Sequence, residues 1–213
     1  MDVAILANDL QRDELSSRRI PEGVNINWFN SFEELISREA DVYFDLLFER
    51  KKERIGSLLK LTPKIIILNA VTDTLQELGE SFIRINGWPG FLKRNLIEVA
   101  INKPGLVKEA MSVFSGMNWP CKIVADQPGM ISARIIAMII NEAYFASQEG
   151  VSTKPEIDIA MKSGTNYPYG PFEWCKLIGL KNIYDLLLRL SETDPRYKMA
   201  ESLIADAENY STA

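Results

Sequence analysis

The chain has 213 residues, 46% of them hydrophobic and 25% charged, with a formal net charge of −5. That length holds one large domain or two small ones, either able to bury a core, and the acidic balance without a basic stripe argues against nucleic acid as a partner. There is no histidine and there are two cysteines, which excludes His-based nucleophile pairs and His-ligated metal sites and argues against a disulfide scaffold. Acid–base work is left to Glu, Asp, Lys or Tyr. No apolar run reaches membrane-spanning length. Met1-Asp2-Val3-Ala4-Ile5 also lacks the basic head and long apolar core of a secretory leader. The expectation is therefore a cytoplasmic protein with no membrane partner and no metal. The isolated pairs Arg18-Arg19 and Lys51-Lys52 read as solvated helix faces.

In chain order, Val3 to Ala7 reads as a buried strand and Asn8 to Arg19 as a polar helix or irregular segment. Val24 to Trp28 alternates apolar and polar residues, the period of a half-exposed strand. Ser31-Phe32-Glu33-Glu34 is a capping box that predicts a helix through Ala40. Asp41 to Phe48 reads as a strand, Glu49 to Leu61 as a charged amphipathic helix, and Lys64 to Leu68 as a further buried strand. Thr72 to Gln76 opens a helix, and Phe82 to Ile85 is another strand. Strands alternating with helices at this spacing predict a largely parallel sheet with helical crossovers.

Leu96 to Ala100 is a strand, Pro104 suits the first turn of a helix reaching about Phe114, and Pro120 to Ala125 is the last strand. Everything after Gly129 reads as helix. The first of these helices is long and apolar around most of its circumference, which predicts burial on several sides. Thr153-Lys154-Pro155-Glu156 is a second capping box with Pro155 at the first helical position, Gly170-Pro171 sets a helix start, and Asp194-Pro195 starts the last helix. The composition divides the chain into an α/β domain over residues 1–125 and an all-α domain over 126–213.

The helical half resembles the C-terminal domain of the 3-hydroxyacyl-CoA dehydrogenase family. The matching residues are Asp126-x-Pro128-Gly129-x-Ile131-x-x-Arg134, Asn141-Glu142-Ala143 and Gly150-Val151. They continue with Ile157-Asp158-x-Ala160-Met161-Lys162, Gly170-Pro171-Phe172-Glu173 and Ile178-Gly179-Leu180. The first half resembles the same family's dinucleotide-binding domain through Asp41-Val42-x-Phe44, Ile65 to Asn69 and Leu96-Ile97-Glu98-Val99. The resemblance implies a shortened, degenerate Rossmann-like sheet followed by the helical domain. It also implies NAD as cofactor, a 3-hydroxyacyl-CoA of fatty-acid metabolism as substrate, and a homodimer built through the C-terminal helices.

Several positions depart from that pattern. The family's Gly-x-Gly-x-x-Gly turn, which lets the backbone approach a pyrophosphate at a helix N-terminus, is replaced by Ala7-Asn8-Asp9-Leu10-Gln11. No glycine occurs before Gly23, Asp9 puts negative charge where phosphate would lie, and the ribose-binding acid falls near Asn30. Counting back twelve from Glu98, the position of the family's general-base His is Asn86. An amide cannot take up a proton at neutral pH, and loss of a general base costs about 10²–10⁴-fold in rate. A family Asn before the helix Arg134 is Ala133, and the hydroxyl of the family's Asn-Thr-Ser segment falls at Val71 or, with a shift of one to three residues, at Thr72 or Thr74. The candidate site is thus Asn86 and Glu98 as catalytic positions, Ala7, Asn8 and Asn69 toward a cofactor, and Thr72, Ala133 and Arg134 toward substrate. The expectation is a family member with impaired or no NAD-linked activity, a pseudoenzyme that could still bind an acyl-CoA or other small ligand. The alternatives are an oxidoreductase of the same family with a rebuilt site, or a structural or interaction homodimer in which the aromatics Trp88, Tyr167, Tyr169, Phe172 and Trp174 fill a core or domain interface.

Overall fold

A computed structural model describes residues 1–211. The chain forms two compact units, Met1–Met130 and the residues from Ile131 onward. The first contains β1 (Asp2–Leu6), α1 (Asp9–Ser16), β2 (Asn25–Phe29), α2 (Phe32–Ser37), β3 (Val42–Asp45) and α3 (Lys52–Leu59). These are followed by β4 (Ile65–Asn69), α4 (Leu75–Leu78), β5 (Ile83–Ile85), β6 (Ile97–Ala100), α5 (Pro104–Gly116) and β7 (Cys121–Ile123).

The strands form one sheet in the order β2-β1-β3-β4-β5-β6-β7. Every neighbouring pair is parallel except β5 and β6. The expected shortened, mostly parallel Rossmann-like sheet is what forms. The reversal at β6 follows from the connection: residues 86–96 contain no helix, and a parallel return needs a longer crossover. β1 lies between β2 and β3, so the winding direction reverses there and leaves a crevice at the C-terminal ends of β1 and β3.

Side-chain alternation splits the central strands between two cores. Val3, Ile5, Val42, Phe44, Ile65 and Ile67 join Phe114 and Trp119 on one face. Ala4, Leu6 and Tyr43 pack with Leu35 on the other, where Ile66 and Leu68 pack with Leu58 and Leu75. Phe44 stacks on Trp119 at 6.3 Å and meets Phe114 edge-on.

Several local expectations are corrected. α2 stops at Ser37 because Arg38 is extended; the Tyr43 hydroxyl holds that bend by accepting from Ala40 N and donating to Arg38 O. Arg18 is not a solvated residue: its guanidinium donates to the carbonyls of Arg94 and Asn118 and lies 5.1 Å over the Trp119 ring.

A buried ion pair ties the far side of the sheet together. Arg84 on β5 is fully buried; its Nε donates to Ala70 O at 2.7 Å, Nη2 to Val71 O at 3.2 Å, and Nη1 to Asp126. Asp126 also accepts from Leu75 N at 2.8 Å and Asn102 Nδ2 at 3.0 Å. Gly129 N then bonds Val71 O at 2.8 Å.

The second unit contains α6 (Ser132–Gln148), α7 (Lys154–Thr165), α8 (Pro171–Ile178), α9 (Leu180–Ser191) and α10 (Glu201–Ser211). Ala133, Ile136, Ala137, Ile140, Ala143 and Tyr144 recur at helical spacing and form the buried face of α6. Ile131, just before α6, and Ile135 are each 51% exposed, so within one chain α6 is buried over one broad face. Pro155 is the second helical residue, since Lys154 opens α7. Asp194-Pro195 starts only a 3-10 turn, Pro195–Tyr197, and the last helix begins after it, at Glu201.

Removing one partner of a buried, hydrogen-bonded ion pair leaves an uncompensated charge and costs about 3–5 kcal/mol. Asp126→Ala should lower the unfolding free energy in urea by that amount. A loss in the range of a surface ion pair, below about 1 kcal/mol, would remove this pair as the tie between the loops.

Candidate functional site

The C-terminal ends of β1, β3, β4 and β5 bring Ala7, Asn8, Leu46, Asn69 and Asn86 to one edge of the sheet, the edge where doubly wound sheets bind ligands. Asn8 caps α1: its Oδ1 accepts from Gln11 N at 2.9 Å, and its own N–H donates to Gln11 Oε1 at 3.2 Å. Gln11, 2% exposed, then spans the crevice. Its Nε2 donates to Leu46 O at 3.1 Å and to Gly87 O at 3.0 Å. Asn69 closes the same ring, donating from Nδ2 to Leu46 O at 3.0 Å and accepting from Gly87 N at 2.9 Å. Gly87 suits this approach, because a Cβ there would stand 3.0 Å from Asn69 Cγ.

One face of α1 fastens the loop that follows β5. Gln11 and Glu14 lie three residues apart, the spacing of neighbours on a helix surface, and Arg18 follows just past the end of α1 at Ser16. The Glu14 carboxylate is buried and accepts from Gly90 N at 2.5 Å and Leu92 N at 3.2 Å, while Arg18 holds Arg94 O at 2.7 Å. Asn86 is 2% exposed, and its Oδ1 accepts from Trp88 N at 3.3 Å. β5 and β6 pair Arg84 with Ala100 and Ile85 with Val99; the next positions in that register are Asn86 and Glu98. Glu98 is half-buried. Burial lowers the Arg94 guanidinium from its ordinary value, and the charges of Glu98 and Glu14 oppose that shift.

The titratable groups nearby have structural partners. Asp45, at the end of β3, is fully buried and accepts two bonds from Arg54, at 2.6 and 2.8 Å. Burial raises its carboxyl above the usual range, and Arg54 pulls the other way. Thr72 is half-buried beside Asp73, whose carboxyl is raised by burial and which pairs with Arg50 at 3.3 Å. Asn30 follows β2 and accepts from Arg12 Nη2 at 2.7 Å. Among the described residues, no three His, Cys, Asp or Glu side chains gather as a metal site.

NAD does not fit this crevice in the family's manner. A pyrophosphate needs open backbone amides at the start of α1 and room above the strand ends. Here Asn8 Oδ1 takes the Gln11 amide, the Gln11 side chain occupies the space between α1, Leu46 and Gly87, and Asp9 lies in the first turn of α1.

Ala133 and Arg134 belong to the helical unit. Ala133 is fully buried on α6, and the Arg134 guanidinium lies 5.8 Å over the Tyr197 ring. The remaining motif residues there hold the scaffold. Asn141, 2% exposed, donates to Lys198 O at 2.9 Å and accepts from Ala200 N at 3.0 Å, anchoring the lead into α10. Gly170 packs so closely on Asp158 that a Cβ would collide with its backbone and side chain. Asp158 Oδ1 accepts from Phe172 N at 2.8 Å, and Glu173 accepts from Gly170 N at 2.9 Å and pairs with Lys162. Among the aromatics expected to cluster, Trp88 meets Phe91, Tyr169 meets Trp174, and Phe172 meets Tyr144, each edge-on. Cys175 is no activated nucleophile, since burial pushes its thiol up to about 11.

A doubly wound sheet followed by a helical domain defines the class of dinucleotide-dependent dehydrogenase folds. Residues 129–209 match the family model described as 3-hydroxyacyl-CoA dehydrogenase, C-terminal domain. The chain is 29% identical over 170 residues to 3-hydroxyadipyl-CoA dehydrogenase of Escherichia coli, covering 77% of this chain and 35% of that protein. It is 36% identical over 85 residues to 3-hydroxybutyryl-CoA dehydrogenase of Bradyrhizobium diazoefficiens, covering 39% of this chain and 29% of that one. It therefore spans about a third of the length of these curated relatives. In fold it is similar to the crystal structure of (S)-3-hydroxybutyryl-CoA dehydrogenase from Ralstonia eutropha. That likeness has a TM-score of 0.70 at 18% identity and covers 96% of this chain and 92% of the other. Over residues 129–209, therefore, the chain carries the C-terminal domain of the 3-hydroxyacyl-CoA dehydrogenase family.

Gln11 and Glu14 were missed by sequence reasoning; the one signal was their spacing on a polar helix. Gln11→Ala would leave the carbonyls of Leu46 and Gly87 without that donor, at about 1–3 kcal/mol. Gln11→Glu, which sets a carboxylate against two carbonyls, should cost more. Urea unfolding of both variants checks the order, and equal stability of all three proteins would refute it.

Proposed function

We propose that this chain is a 3-hydroxyacyl-CoA dehydrogenase-like protein, related to the NAD-linked oxidation of 3-hydroxyacyl-CoA in fatty-acid metabolism, that no longer performs that reaction. The observation that carries the reading is the Gln11–Asn69–Gly87 ring at the strand ends. It closes the crevice with the protein's own amides. Asn86 adds to it: a buried neutral amide can donate a hydrogen bond but cannot accept the proton of a substrate hydroxyl. Restoring a base would therefore be insufficient, because the cofactor's place is filled independently. The protein keeps the family scaffold and binds an acyl-CoA or another small ligand rather than turning one over. Two free thiols, Cys121 and Cys175, support a reducing compartment, the cytoplasm.

We further propose a homodimer built through the C-terminal helices. Ile135 on α6 and Ile131 just before it are half exposed, beside a depression of about 500 Å³ lined by Ile135, Met138, Ile139 and Tyr197 and rimmed by the charged Arg134, Glu142 and Arg196. Apolar surface of this kind on a helix marks an association face.

Pure protein should show no saturable NAD(H) binding by calorimetry at millimolar cofactor and no NAD-dependent oxidation of 3-hydroxybutyryl-CoA, and Asn86→His should restore neither. NAD-linked turnover by the unaltered chain would overturn this reading. A thermal-shift series with acyl-CoAs should raise the melting temperature as the logarithm of concentration.

Sedimentation equilibrium should give twice the chain mass, and Ile135→Glu should shift the protein toward monomer. A monomer at high micromolar concentration would remove the dimer.

A further inference from the structure

We propose that Tyr144, Phe172 and Asp206 form a binding site for the ammonium group of a small apolar cation, with Lys154 as its built-in and displaceable occupant. The site lies wholly within the helical unit and is independent of the closed crevice at the strand ends. Lys154, the first residue of α7, places its Nζ 4.7 Å from the Tyr144 ring centroid, 5.3 Å from that of Phe172 and 2.8 Å from Asp206 Oδ2. A cation within about 6 Å of an aromatic face is attracted by the ring quadrupole. Two rings and one carboxylate therefore meet at one point, and the group found there is an ammonium.

The cage is built from separate elements and is fixed apart from its lysine. Tyr144 on α6 is 3% exposed and meets Phe172 on α8 edge-on, with ring centroids 5.1 Å apart. Its hydroxyl donates to the same Asp206 oxygen on α10 at 3.2 Å. Burial pushes up both the Tyr144 hydroxyl and the Cys175 thiol, so both stay neutral. Among the described residues, Asp206 is the one acid lining the pocket beside the cage. Lys154, by contrast, is held from the rim: its side chain is 44% exposed, and an ion pair at that exposure is weakly held.

The volume beside the cage selects the ligand class. With Lys154 in place a pocket of about 510 Å³ remains, floored by Tyr144, Phe172, Cys175 and Leu180, within the size range of small-molecule sites. Lys154 supplies the charge but leaves that space unfilled. A ligand that joins an ammonium to an apolar body takes both parts, while Lys154 swings into solvent and one cation replaces another at Asp206. A quaternary ammonium suits two aromatic faces better than a lysine does, because the lysine ammonium is strongly hydrated. Lys181 is already paired with Asp185 at 2.7 Å. Lys176 also borders the pocket and would attract an anion, so the charge of the preferred ligand is the decisive readout.

The test is calorimetric titration of the full chain with hexyltrimethylammonium, neutral hexanol and anionic hexanoate at low salt. The quaternary cation should bind saturably and at least about tenfold tighter than either of the others. Lys154→Ala should tighten it by about threefold or more, since the internal competitor is gone. In that background Phe172→Leu, which keeps the bulk and removes a ring, should weaken the cation at least about threefold and leave hexanol unchanged. Asp206→Asn should weaken the cation more strongly still. Should Asp206→Asn lower the melting temperature, Phe172→Leu decides alone. Absence of saturable cation binding to the unaltered chain, equal or tighter binding of hexanoate, or a cation affinity indifferent to Lys154→Ala would each overturn the proposal. So would a Phe172→Leu change that weakens hexanol as much as the cation.

Discussion

The Arg84–Asp126 ion pair is the constraint on which the α/β unit depends. Burying an arginine costs several kcal/mol unless its donors and its charge are both met. Here both are met. Two backbone carbonyls from the end of β4, one carboxylate, and through that carboxylate the amide of Leu75 and the side chain of Asn102 all converge on one point. The exit of β4, the start of α4, β5, the approach to α5 and the segment after β7 are thereby tied together. Burial lowers the guanidinium from its ordinary value, and Asp126 opposes that shift.

At the strand ends the same economy of partners closes a site that the fold class would leave open. A doubly wound sheet creates a crevice where its winding reverses, between β1 and β3. In this chain Gln11 crosses it and Asn69 completes the ring, so the backbone groups of Leu46 and Gly87 are satisfied from within. Polar groups at such an edge must find partners; in a nucleotide-binding protein the ligand supplies some of them. The amides of this chain do so instead. Glu14 further along α1 and Arg18 just past its end hold the loop after β5, so this one segment fills the crevice and fastens the loop.

The helical unit illustrates how motif residues can be structural. Asp158 and Gly170 require each other, since the carboxylate caps Phe172 N and leaves no room for a Cβ at Gly170. Asn141 spends both ends of its amide on the link into α10. These residues carry family membership because the packing of α6, α7, α8 and α10 demands them. Arg134, also in the motif, lies over Tyr197 within the same unit.

Residue periodicity alone determined the order of strands and helices and the division into an α/β and an all-α half, and set against the family resemblance the sequence also lacks the glycine cradle and the histidine base. These are local properties: a strand's alternation or a missing glycine is complete within a few neighbouring residues. The helix stop at Ser37, the reversed direction of β6 and the 3-10 turn at Pro195 were decided by longer links and by partners such as the Tyr43 hydroxyl. Only the tertiary structure decided that Gln11, Glu14 and Arg18 face inward and that Arg84 and Asp126 meet. A polar side chain on a short helix reads the same whether it faces water or a buried carbonyl. Its partner lies tens of residues away, and only the folded chain brings the two within hydrogen-bonding distance.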